Sequence, residues 1–579
     1  MTKRQTGHAD REVERAILAS GARASQGAYV TGLSSAWPIV RSWSHRWQLR
    51  STGRGRPSPG RDIGGTVRPG SDMTWQRIAT SVLPALIVTA GGVATLWVAT
   101  LLVRRVDGLS APPYDLAFFQ QIIWNVGQGG RWVSSFHDGS FLGLHFSPIL
   151  VVPALIERLV WPDVRVLSLI HAVTIGAFIP AAFLFLRAGF RPSRAAAPLA
   201  AALAIGLPIW GAMQDVILSD FHPEVAGVVL ALLAGWAGLS GRRRALWMLA
   251  FLALATREDV AYAVIVIGVV IAARAPREMR RHGLALIGVA AVWGVMVFGV
   301  LMPLIRAGAP SDTSSYYAWL GGGWSVLTAP FTRTTAVVAA LTSPAPWFVL
   351  AGMIVSLGGL PLLRPRWALL VLPPLVASML SAHHWQAVLR LQYPVILVVP
   401  LLAASVFGGR RALAWIDRRR RRGRRPAGRL ASLRPDRWLT RTAMVALALL
   451  VTIPAISGAW VQGSLPPFDR DDPAFQAPPG TIDRLMVIAR DVPESALLVA
   501  DEGLVAPLAG RRSIRRVAAA PMPPAGAYVL LDRDAWAATG DVAAVHRRVS
   551  LALASGDRPI ISDDGRFVLW GPEPDGRAP

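Results

Sequence analysis

Cysteine is absent from the chain. That excludes disulfides, thiolate metal sites and a cysteine nucleophile together. Acidic side chains are scarce beside basic ones, 35 against 60, leaving a formal charge of +25. Such a surplus suits nucleic acid only if it is spread over one soluble surface, and here it is not. Arginine, which is nearly every basic residue, crowds into the N-terminal tail, into short loops and between Gly409 and Arg441. Clustering of that kind is the positive-inside signature of a membrane protein, so no nucleic-acid partner is expected. Polar runs are few between residues 78 and 460, where apolar runs near the length of a bilayer span succeed one another. With 53% hydrophobic residues and a mean hydropathy of +0.42, no soluble class fits.

Residues 1–77 are rich in Arg, Ser and Gly with almost no apolar periodicity. They bury too little surface to offset the entropy of ordering, so a disordered cytoplasmic tail is expected. The membrane region is predicted over 78–460 as a mainly α, polytopic helical bundle of about eleven crossings. Its first span runs from Ile78 to Val103, and a loop at 104–165 lies on the outer face. From there the turns alternate. Those rich in Arg fall on one side (Arg187 to Arg194, Arg242 to Arg244, Arg274 to Arg281, Arg364 and Arg366), and those carrying Asp, Glu or His fall on the other. A last span at Thr442–Trp460 exports residues 461–579, which read as a small extracytoplasmic α/β domain. In it Ala496–Ala500 and Tyr528–Leu531 are short buried strands and Ile560–Trp570 is a hairpin turning at Asp564 and Gly565. The alanine and arginine bias points, through codon usage, to a bacterial source and hence to the bacterial plasma membrane.

The chemistry concentrates in the outer turns. Asp115 stands on an otherwise apolar segment (Leu116, Phe118, Phe119, Ile122, Ile123, Trp124), which reads as a helix lying on the bilayer surface. A cap at the start of that helix is the plainer use of the same carboxylate. His137, Asp138 and His145 follow. The densest acid and histidine cluster is DVILSDFHPEV. Its Asp220, His222 and Glu224 offer oxygen and imidazole ligands to a divalent cation, although the spacing matches no strict metal motif. Arg257, Glu258 and Asp259 either neutralise one another or place Arg257 on a phosphate. His383, His384 and Arg390 read either as an interfacial loop beside Trp385 or as a cationic patch suited to a lipid phosphate, and membrane lipid is the expected partner of the Arg418–Arg425 run.

At YDLAFFQQIIWN, GLHFSPIL, FHPE and TREDVA the chain resembles the domain of unknown function 2079 family of prokaryotic membrane proteins, over most of residues 110–410. That family in turn resembles the GT-C class of glycosyltransferases, which use polyprenyl-phosphate sugars. The resemblance implies Asp115 as the acceptor-activating base or metal-facing acid, His145 to Pro148 in place of a His-Pro-Pro turn, and Arg257 or Glu258 near the donor phosphate. His383 and Arg390, from the cationic patch, are the further candidate substrate contacts. Two departures stand out. Leu116 and Ala117 follow Asp115 where the class commonly pairs its acids, and Gln392 precedes Tyr393 where a histidine is expected. The rival readings are a transporter or flippase of a lipid-linked or small polar solute and a non-catalytic membrane scaffold.

Overall fold

The computed structural model describes residues 82–422 apart from 112–113, 194, 308, 310–314 and 322–324. It also describes isolated positions between 452 and 478, and residues 480–574 apart from 521, 535–540, 555 and 557. The tail expected at 1–77 and nearly all of the crossing expected at 442–460 lie outside the described residues.

The bundle begins with α1 (Leu83–Asp107), which opens on a proline in its first turn, where the missing N–H costs nothing. After α2 (Asp115–Gly127), the two-stranded ribbon β1 (Val133–Ser134) and β2 (His137–Ser140), and α3 (Val151–Leu159), the chain returns through α4 (Arg165–Phe190). Helices α1 and α4 lie against each other through small residues, as helices do where no water drives them together. A Cβ on Gly176 would stand 1.9 Å from Thr95 Oγ1 and 2.5 Å from the Gly91 carbonyl. The expected result for Gly176→Ala is a loss of about 1–3 kcal/mol from overpacking. Thermal melting of the purified protein reads it, and an unchanged melting point would refute the close contact.

Next come α5 (Ala196–Gly206), α6 (Gly211–Leu218), α7 (Pro223–Leu239), α8 (Arg243–Leu254), α9 (Val260–Arg274) and α10 (Arg277–Met296), the last running on through a π turn at Val297–Leu301. Five helices among the described residues are long and apolar enough to cross a membrane: Leu83–Asp107, Arg165–Phe190, Arg277–Arg306, Thr334–Ser356 and Tyr393–Arg418. A sixth forms if Ala196–Ile209 and Gly211–Leu218, bent by 51° at Trp210, count as one span. Helices α7, α8 and α9 stand where three further crossings are expected, but at 17, 12 and 15 residues they are short for a bilayer.

The two ends of the bundle carry different charge. Helix α4 is ~39 Å long at 1.5 Å per residue. At its start Arg165 binds Asp107 (2.8 and 2.6 Å) and Asp163 (2.8 Å). Past its end the Arg191 carbonyl accepts a bond from Arg410, and the Leu363 carbonyl accepts one from Arg411. Carboxylates therefore collect at one end and guanidinium groups at the other.

Beyond residue 480 a five-stranded sheet forms, in the order β4-β3-β5-β7-β6. Strands β3 (Leu498–Ala500), β4 (Ile514–Arg516) and β5 (Tyr528–Asp532) are parallel, while β6 (Ile560–Asp563) and β7 (Phe567–Trp570) close an antiparallel hairpin. Alternation sets its two faces. Leu498, Ala500, Leu530, Phe567 and Leu569 pack toward α2, and Val499, Val529, Leu531, Val568 and Trp570 pack on the other side with Val549 and Leu553. Both faces of β3, β5 and β7 are buried, which is why those three strands read as nearly unbroken apolar runs.

This sheet corrects the expectation that α2 lies in the bilayer surface. Leu116, Phe118, Phe119, Ile122 and Ile123 are buried in protein, in one core with Leu504, Val505 and Leu508 of the C-terminal segment. Gln121 fixes the contact. Its amide donates to the carbonyls of Arg511 (2.9 Å) and Arg512 (3.2 Å), and its oxygen accepts from Ser134 Oγ (2.7 Å).

At the carboxyl end of β3, buried Asp501 accepts the Asp532 backbone N–H at 2.6 Å and meets His546 Nε2 at 2.8 Å. Burial pushes the Asp501 carboxyl up to about 6, against the pull of His546. Burial opposes charge on His546 as well, yet the bond to Asp501 and its negative charge win and raise it above the usual 6.5. Both groups hold protons more tightly folded than unfolded. Their contribution is complete below about 4 and is lost as pH rises through about 6 and beyond. Amide-exchange protection of β3 and β5, corrected for intrinsic rates, is expected to fall about tenfold or more between pH 5 and pH 8. Asp501→Asn should flatten the profile; protection that rises with pH would contradict the assignment.

Candidate functional site

The carboxylate-rich end of the bundle gathers side chains from six separate stretches of sequence. Asp115 lies in the first turn of α2, whose N-cap is Tyr114 and carries no side-chain cap. The Asp115 carboxylate, 34% exposed, instead faces His222 Nε2 across 3.9 Å. His222 is the N-cap of α7, and Pro223 opens that helix in the position proline favours.

In the first turn of α7, Glu224 binds Arg257, which sits in the loop between α8 and α9. The same guanidinium lies 3.7 Å from Glu258 and 3.5 Å from Asp259. Three carboxylates thus surround one cation. Both sequence alternatives for Arg257 are modified: its loop neighbours do approach it, but its shortest bond goes to Glu224, 33 residues away. Glu258 turns toward the first loop, where it meets His145 Nδ1 at 2.9 Å and accepts the Phe146 N–H at 2.9 Å. That pair fastens the HFSP turn to the TRED loop. Burial alone would raise the Glu258 carboxyl, yet His145 and Arg257 hold it down at about 2. Burial, with repulsion from Glu258 and Glu224, pushes Asp259 up to about 6 although Arg257 pulls the other way.

The third contribution comes from residues 381–393. Tyr393 OH lies 3.4 Å from His383 Nδ1, and the Tyr316 ring lies 4.9 Å from the same imidazole, tilted by 41°. A histidine therefore meets Tyr393 through space, although Gln392 takes the place before it in sequence. Burial lowers His383 below its usual value, and the nearby Asp115 charge opposes that shift. Between these groups is a cavity of about 40 Å³, lined among others by Glu224, Arg257, Asp259, Gln386, Gln392 and Tyr393. It holds one or a few waters or an ion, and a sugar ring does not fit without movement of its walls.

Asp115, His145, Arg257, Glu258 and His383 are thus brought together. Arg390 is outside the cavity lining and is ion-paired, its Nε 2.9 Å from Asp215. The trio Asp220, His222 and Glu224 does not assemble. Asp220, at φ 64°, turns its Oδ1 to Ser168 Oγ (3.1 Å) and to the Phe221 N–H (2.9 Å), while His222 faces Asp115 and Glu224 faces Arg257. Among the described residues no group of three or more His, Asp or Glu side chains is placed to hold a metal ion. Asp138 is exposed on the β1–β2 ribbon, outside the cluster. Sequence reasoning missed Tyr316, Gln386 and the Glu224–Arg257 bond; the only sequence signal for the last was an acid and a base, each in an outer turn.

Apolar helices of membrane length with an ionisable cluster at one end define a helical integral membrane protein. The chain belongs to the family described as "Predicted membrane protein (DUF2079)", whose family model matches residues 105–532. A search of curated proteins finds no match. Among solved structures the chain is similar to ArnT from Cupriavidus metallidurans bound to undecaprenyl phosphate, at 15% identity over 88% of this chain and 100% of that one, with a TM-score of 0.43. The apo state of that protein matches at 16% identity over 83% and 98%, TM-score 0.42. The arabinofuranosyltransferase AftD from Mycobacteria matches at 13% identity, with 84% of this chain covering 40% of that one, TM-score 0.39.

Proposed function

We propose that the protein is a glycosyltransferase of the bacterial plasma membrane that moves a sugar from a polyprenyl-phosphate donor to an acceptor outside the cytoplasm. In this reading the chain crosses about eleven times, with its N-terminus inside and its C-terminal sheet outside. The observation that carries the reading is Asp115, a partly exposed carboxylate at the edge of a cluster that also holds Arg257, His145 and His383. An acid there can take the proton of an acceptor hydroxyl as its oxygen attacks the anomeric carbon from the face opposite the phosphate. The bond from that carbon to the phosphate oxygen breaks, and the electron pair leaves on the polyprenyl phosphate. Cationic groups stabilise the departing charge. His383 and Arg390 are the candidates for this role; Arg390, bound by Asp215, and Arg257, bound by Glu224, each reach a phosphate only by exchanging one anion for another.

Deleting the gene in its host tests the reading. The expected outcome is a larger pool of one polyprenyl-linked sugar and the loss of one envelope glycan by mass spectrometry; unchanged lipid and glycan profiles would end it. Transport is favoured by one feature, the 51° break between α5 and α6, because broken helices form binding sites in transporters. Those sites sit near mid-membrane, whereas the ionisable groups here gather at one end of the bundle.

A further inference from the structure

The 40 Å³ cavity carries more than its shape. Glu224 Oε2, Asp259 Oδ1 and Gln392 Oε1 are buried oxygen atoms without a hydrogen-bond partner, and all three residues line it. The side chain of Glu224 is 6% exposed and Gln392 is 8% exposed. Orphaned buried acceptors are rare because each forfeits its hydration without return. The same chamber holds one donor without a hydrogen-bond partner, Arg257 Nε, so acceptors outnumber donors three to one and oxygen lone pairs are presented in excess.

Charge says what they are presented to. Glu224, Glu258 and Asp259 against the guanidinium of Arg257 leave two negative charges, or one when His145, 2.9 Å from Glu258, carries a proton. A water molecule satisfies two acceptors but leaves the charge in place. We infer that this cavity is a site for a small hard divalent cation, Mg²⁺ or Mn²⁺, held by Glu224, Asp259 and Gln392, with waters filling its remaining positions. An all-oxygen ligand set selects hard cations over zinc or copper. Mg²⁺ commonly keeps several waters and takes only one or two protein carboxylates, which suits a chamber of this size better than the six to eight ligands of Ca²⁺. The site differs from the Asp220, His222 and Glu224 trio in using the Oε2 of Glu224 that Arg257 leaves free, together with two residues from other loops. It stands whether or not the protein transfers sugar, because binding is measured with no donor present.

The test is Mn²⁺ electron paramagnetic resonance on the purified full-length protein in lipid nanodiscs, with Mg²⁺ as competitor. About one Mn²⁺ per chain is expected, displaced by Mg²⁺. Glu224→Gln and Asp259→Asn should each weaken it about tenfold or more. Gln392→Leu should weaken it while leaving the Glu224–Arg257 bond intact, and Gln392→Glu should tighten it, which a merely structural role for that residue does not give. Should Glu224→Gln fail to fold, the two Gln392 variants still decide. No stoichiometric Mn²⁺ at millimolar concentration would mean a water-filled cavity and overturn the inference. Binding that ignores all four substitutions would place the ion elsewhere and overturn it equally.

Discussion

Asp115→Asn is expected to lower sugar transfer at least about a hundredfold, the lower end of what a positioned general base contributes. Asparagine keeps the shape of the side chain but cannot take the acceptor proton. The protein should remain folded, because Asp115 is a third exposed and its ion contact with His222 spans 3.9 Å. His222 itself is buried, but a contact that long, with one partner a third in water, contributes little to stability. The loss should therefore fall on kcat, with KM for donor and acceptor nearly unchanged. In the host, the donor lipid should accumulate as it does on deletion of the gene. A variant that transfers normally while the deletion does not would remove Asp115 from the reaction and favour transport or scaffolding.

The second large effect is on stability. Arg257→Met should destabilise the protein by about 3–5 kcal/mol, since it strands carboxylates that are costly to bury unpaired. The Arg257 side chain is 14% exposed and Glu224 only 6%, so water cannot compensate. Lysine should rescue only in part, because a single ammonium cannot reach Glu224, Glu258 and Asp259 as a planar fork does. The informative variant is the double one. Adding Glu224→Gln to Arg257→Met should recover part of the loss, the coupling expected of groups in direct contact. Melting curves of the four proteins in detergent read this. A single variant as stable as the parent would show that the cluster is hydrated and that Arg257 holds nothing together.

Much of this arrangement was legible in the sequence because its causes are local. Long apolar runs specify α1 and α4, and the alternation of arginine-rich and acid-rich turns anticipates that Asp107 and Asp163 meet Arg165 at one end of α4 while Arg191 meets Arg410 at the other. Asp115, His145, Glu258 and His383 stood out as polar residues in apolar surroundings. What was illegible depends on partners distant in sequence. The apolar face of α2 is the same whether lipid or protein covers it, and only Gln121, bonded to a carbonyl 390 residues away, reveals which. Strand β4 hides for a different reason. Its Ile-Arg-Arg sequence sits on the edge of the sheet with only one inward-facing apolar residue, too short a pattern to register. The orphaned oxygen of Gln392 leaves no sequence trace, since an amide beside a tyrosine reads the same whether or not its oxygen finds a donor.

Sidedness decides the rest, and the absence of cysteine makes it measurable, because any cysteine introduced is unique. Asp138 is exposed on the ribbon beside Tyr114, and Arg243 is exposed at the far end of α7 from His222. In intact cells a membrane-impermeant maleimide should label Asp138→Cys at once and Arg243→Cys only after permeabilisation. The reverse pattern would put Asp115 in the cytoplasm and leave an extracytoplasmic sugar transfer without its base.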